Sequence, residues 1–78
     1  MDAVNEQVAR ELELIPRGDL NQNLLRTNFQ MLRANALGAN REQPLSAAEA
    51  LARAVAMVQQ HDPTFEPRFD PALSSAAG

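Results

Sequence analysis

The sequence predicts a small all-α protein, three helices followed by an extended tail of prolines and phenylalanines, and three observations predict it. Apolar residues recur at spacings of three and four in three separate stretches, the pattern of a helix with one buried face. Each stretch is punctuated by a capping side chain, a glycine or a proline. The segment His61–Pro71, HDPTFEPRFDP, then breaks the helical pattern with prolines at 63, 67 and 71, and it carries two of the three phenylalanines.

The first helix is expected over residues 3 to 15. Val4, Val8, Leu12 and Ile15 fall four, four and three apart on one stripe, Asp2 stands at the capping position, and Pro16 stops the helix. Glu6, Gln7, Arg10, Glu11 and Glu13 give it a solvated side. The stretch PRGD, residues 16 to 19, reads as a turn, after which Asp19 caps a second helix with Gln22 three residues on. That helix is expected from 20 to 37, about 27 Å at 1.5 Å per residue, with Gly38 as a left-handed C-terminal cap. Leu20, Leu24, Leu25, Phe29, Met31, Leu32 and Ala36 give it an apolar face wider than a two-helix seam requires, which makes it the predicted centre of the fold.

The polar side of the second helix is built of amides: Asn21, Gln22, Asn23, Asn28, Gln30 and Asn35. Arg26 and Arg33 are its only charges, and no acid occurs between Asp19 and Glu42. Two readings fit this composition. Either the amides are solvated, or a second face of the helix is covered, since buried amides are tolerated when hydrogen-bonded.

The third helix is expected from 47 to 60. Its start is the sharpest local signal in the chain: SAAE, residues 46 to 49, is a capping box, with Leu45 as the hydrophobic staple before it. Leu51, Val55 and Val58, flanked by Ala47, Ala48 and Ala54, form the buried stripe, and Ala50, Ala52 and Ala56 widen the set of small residues that let another helix approach closely. Glu49 and Arg53 make a favourable pair four apart, and Pro63 ends the helix.

Residues 1–61 are thus read as a helical domain and 62–78 as a tail. The prolines bias Asp62, Glu66 and Asp70 toward extended conformations, polyproline-like in part. Phe65 and Phe69 are four apart, do not share a face of a threefold helix, and each needs its own pocket. The rings read as anchors whose ordering entropy the prolines lower. The tail is expected to fold back in cis and complete a core too small without it; docking in trans, on another chain, is the alternative. Residues 72–78, ALSSAAG, read as a frayed end.

Composition narrows the function classes. At 78 residues the chain is one marginal domain, and with no cysteine it has neither a disulfide nor a cysteine zinc site to support it. A net charge of −3 and a pI near 4.9 favour neither nucleic acid nor a nucleic-acid mimic. All seven basic residues are arginines, which together with the alanine content suggests a GC-rich genome, of bacterial or phage type. No apolar run approaches the ~20 residues of a membrane span, and MDAVNEQVAR is unlike a secretion signal, so a soluble cytoplasmic protein is expected.

Catalysis needs converging groups, and the chain has a single histidine, His61, with no cysteine or tyrosine. Ser46 is used in capping, Ser74 and Ser75 stand near the end of the tail, and glycines 18, 38 and 78 are isolated, so no triad or phosphate loop is present. No cofactor or metal is expected. A helix-turn-helix nucleic-acid reader is the rival from another class, but about nine residues separate the second and third helices where that motif has three or four. The expectation is a non-enzymatic adaptor, inhibitor or minor structural subunit that binds another protein and self-associates. Its contact residues are expected to be Pro63, Phe65, Pro67, Arg68 and Phe69 in the tail, with Arg26 and Arg33 on the second helix.

Overall fold

The computed structural model describes residues 3–37 and 45–75. Four helices follow one another: α1 (Ala3–Leu12), α2 (Leu20–Leu37), α3 (Ala47–Gln59) and α4 (Pro71–Ser75). All regular structure among the described residues is helical, as expected, and the three longer helices begin where the sequence places them. Asp2 and Gly38, the expected caps of the first and second helices, lie outside the described residues.

The core is an α2–α3 hairpin. Leu25, Phe29 and Ala36 of α2 meet Ala47, Ala50, Leu51, Ala54 and Val58 of α3, with Ile15, Leu45, Phe65 and Leu73 closing the cluster. Ala50 and Ala54 are wholly buried, which lets the α3 backbone approach its neighbours closely while Phe29 fills the space opposite. Ser46 caps α3 through its side-chain oxygen, which accepts from the Glu49 amide at 3.1 Å, the serine half of the expected box.

The α1 helix packs on α2 and stops three residues earlier than expected. Beyond Leu12 the chain tightens into a turn, with the Leu14 amide donating to the Glu11 carbonyl at 3.0 Å and the Ile15 amide to that of Leu12 at 3.1 Å. Ile15 is nonetheless buried, so the stripe survives the change of winding.

The tail differs from the expected extended strap. Asp62 to Phe65 is a turn, with the Phe65 amide donating to the Asp62 carbonyl at 3.0 Å, and only the stretch from there to Asp70 is free of turns and helix. Pro71–Ser75 is then helical rather than frayed, and Leu73 is 1% exposed in the core. The physical reason is a cap: the Asp70 carboxylate accepts from the Ala72 amide at 2.9 Å, with proline in the first helical position, where its missing N–H costs nothing.

Candidate functional site

The tail is held against the helices by an amide clasp. The Gln22 side chain pairs with the backbone of Arg68 in both directions, Nε2 donating to the Arg68 carbonyl at 2.7 Å and Oε1 accepting from the Arg68 amide at 3.1 Å. Nε2 also donates to the Pro16 carbonyl at 2.8 Å, so three segments meet on one side chain that is 2% exposed. Gly18 makes room for it: a Cβ there would collide with the Arg68 guanidinium and crowd Gln22. Further bonds fix the strap at both ends. Gln59 donates to the Phe65 carbonyl at 3.2 Å, and the Asp70 amide donates to the Leu14 carbonyl at 2.7 Å.

These bonds decide between the two readings of the amide face. Its N-terminal part is internally bonded: half-buried Asn21 donates to Asp62 at 2.9 Å, and Asn23, though exposed, exchanges bonds with Gly18. Its C-terminal part, Gln30 and Asn35, is exposed.

Both α2 arginines expected to face a partner are instead spent inside the chain. Arg26 Nε donates to the Ile15 carbonyl at 2.8 Å, and Nη2 adds a longer bond of 3.3 Å to the Leu12 carbonyl, which already accepts from the Ile15 amide. Arg33 is 6% exposed. Its Nε and Nη2 grip the two Glu11 oxygens at 2.8 Å each, and Nη1 donates to the Leu45 carbonyl at 2.7 Å, tying α1, α2 and the start of α3 together.

The two phenylalanines part company. Phe65 is buried in the core, in cis, with 8% of its surface exposed. Phe69 packs against the core from outside, and with Pro67 it forms one wall of an apolar groove of about 330 Å³ whose other wall is Ala48, Leu51, Ala52 and Val55 of α3. Pro63 is exposed, and so is Arg68, which lies on the other side of the strap from the groove.

There a polar cleft of about 420 Å³ opens between Asp19, Asn21, Asp62, Thr64, Glu66 and Arg68. The Asp62 carboxylate accepts from the Thr64 hydroxyl at 2.7 Å and amide at 3.1 Å, and from Asn21. The Thr64 hydroxyl first, then the Thr64 amide, holds its pKa below the ordinary carboxylate value of 3.8 against an opposing desolvation, and Asn21 adds the smallest contribution. Among the described residues, no group of three or more histidine, cysteine or acidic side chains is placed to hold a metal ion, and no helix is long and apolar enough to cross a membrane.

Sequence reasoning missed three parts of this arrangement. Gln22 was visible only as the residue three after the Asp19 cap and as one amide among six, with no sign of its bonds to the tail. Leu73 was hidden in a segment read as frayed, although Asp70 followed by Pro71 is a helix-start signature. Ala48, Leu51 and Val55 of the groove's α3 wall were read as buried stripe, because periodicity locates a helix face without saying which neighbour stops short of covering it; Ala52 alone was read as a place where another helix could approach.

The geometry defines the class, a small all-α protein with a strapped helical hairpin. Comparison of the chain with protein-family models, with curated proteins and with solved structures finds no match in any of the three.

Proposed function

We propose that the protein acts by binding another protein, as a non-enzymatic adaptor, inhibitor or small structural subunit, and that the groove between α3 and the strap receives an apolar segment of that partner. The observation that carries this reading is Phe69. It is anchored by Pro67 and by the bonds at Arg68 and Asp70 on either side, yet it stands beside α3 without closing over Ala48, Ala52 and Val55. A rigid aromatic wall facing small side chains suits a helix or an extended strand laid along α3, since alanines permit close backbone approach and the ring supplies contact area at little entropic cost. That Arg26 and Arg33 bond within the chain favours a contact centred on Pro67 and Phe69.

The test uses Ala52→Glu, which puts a charge in the groove at an exposed position. The variant should melt within about 0.5 kcal/mol of the parent, as surface substitutions do. A protein retained by the immobilised parent should be lost from the variant. Equal retention by both chains would overturn the assignment of the groove.

A further inference from the structure

We propose that α1 is a lid: it swings away from α2 as a unit, about a hinge at Leu12 to Leu14, while the hairpin and the strap stay folded. The opening is separate from the groove and does not depend on it.

The first observation is how the chain is pinned just past α1. The Leu14 carbonyl accepts from the Asp70 amide at 2.7 Å, the Ile15 carbonyl from Arg26 Nε at 2.8 Å, and the Pro16 carbonyl from Gln22 Nε2 at 2.8 Å. Ile15 itself belongs to the core cluster. The fixed part of the chain therefore begins at Leu14. Immediately before it the winding tightens: the Glu13 amide still reaches back four residues to the Ala9 carbonyl at 3.3 Å, whereas the Leu14 amide reaches back three to that of Glu11 at 3.0 Å. Such a change of winding marks a hinge.

The second observation is how little apolar surface the far side of the hinge shares with the core. Among the α1 side chains described, residues 6 to 12, Val8 is the buried one, and it lies outside the cluster that α2, α3 and the strap build. Leu12, beside the hinge, touches that cluster from its edge. The contact with α2 is itself incomplete, because a cavity of about 280 Å³ opens along it between Val8, Ala9 and Leu12 on one side and Gln30 and Ala34 on the other. Moving α1 away leaves the main cluster whole, the condition under which a segment opens at less cost than global unfolding.

The third observation is the latch. Among the described residues, two polar contacts run from α2 to α1: Arg26 Nη2 on the Leu12 carbonyl, at the hinge itself, and the paired grip of Arg33 on the two Glu11 oxygens. Arg33 keeps the Leu45 carbonyl, at 2.7 Å from Nη1, whether α1 is in place or not. Swinging α1 out hydrates the Glu11 carboxylate and leaves Arg33 Nε and Nη2 as a fork for a carboxylate from elsewhere. Glu11 is thus the occupant that the closed lid supplies to that fork.

Hydrogen exchange of the full chain, followed amide by amide at urea concentrations below the unfolding transition, tests the lid. The amides of Val8 to Leu12 should share one protection factor and one urea dependence, at least about tenfold below the protection of the Leu51 and Ala54 amides of α3. Val58→Ala, in the hairpin core, should lower the protection of Leu51 and Ala54 by about tenfold and leave Val8 to Leu12 unchanged, since its contacts are the same with the lid open or closed. Glu11→Gln should lower both groups together by about tenfold, because the latch is missing from the open and the unfolded chain alike. The lid is overturned if Val58→Ala lowers both groups equally, or if α1 in the parent is as well protected as α3 with the same urea dependence. Protection that climbs residue by residue from Val8 to Leu12 without urea dependence is fraying and also overturns it, and α1 protection unchanged by Glu11→Gln overturns the latch.

Discussion

A carboxamide reproduces the donor and acceptor of a peptide group, and at Gln22 that property joins two segments 46 residues apart in the chain. Neither Asn, one carbon shorter, nor Glu, which lacks the donor when ionised, can make the same set of bonds. Gln22→Met keeps the length and loses all three hydrogen bonds, leaving two carbonyls and one amide to be satisfied anew. It should cost about 2–4 kcal/mol, read as a lowered urea midpoint with the slope unchanged. The two rings predict a contrast. Phe65→Ala removes a buried side chain and should cost about 3–5 kcal/mol, whereas Phe69→Ala, half-buried at the groove wall, should cost about 1 kcal/mol. Equal losses in parallel melts would mean that the groove is closed in solution.

The elements meet through side chains acting on backbone ends. Arg33 is the clearest case, because one guanidinium holds a carboxylate of α1 and the carbonyl just before the α3 cap. Arg33→Met strands the Glu11 carboxylate, whose side chain is only 16% exposed, and should destabilise by about 3 kcal/mol. Pairing it with Glu11→Leu should restore most of that loss, since neither charge is then left alone; additive losses in the double mutant would show that the ion pair is not the cause. Ser46→Ala should cost about 1 kcal/mol by removing the α3 cap, and an unchanged midpoint would mean that α3 begins elsewhere. The helices themselves were legible in the sequence because spacing, caps and prolines are local signals. The uses of Arg26 and Arg33 were not, since nothing at their own positions says that an open carbonyl or a carboxylate from α1 will stand within reach. Phe65 as a core residue was expected from the shortage of large side chains, while the different fate of Phe69 depends on how far α3 extends beside it.

Across the whole molecule, the division into a helical domain and a separate tail describes the sequence better than it describes the packing. Phe65 and Leu73 belong to the same buried cluster as the hairpin, and α4 packs on α3. A chain ending at His61 should therefore lose cooperative unfolding, giving a broad, shallow urea transition in place of a sharp one. A sharp transition in the shortened chain would make the strap an accessory. One consequence of the clasp concerns synthesis on the ribosome. At about 5–20 residues per second, the interval between making Leu37, the end of α2, and making Leu73 is roughly two to seven seconds. For that time α2 can pack on α1 and, once Gln59 is made, on α3, but the cluster still lacks Phe65 and Leu73 to close it. Until the strap arrives, the open end of the core is a surface that a holding chaperone could cover.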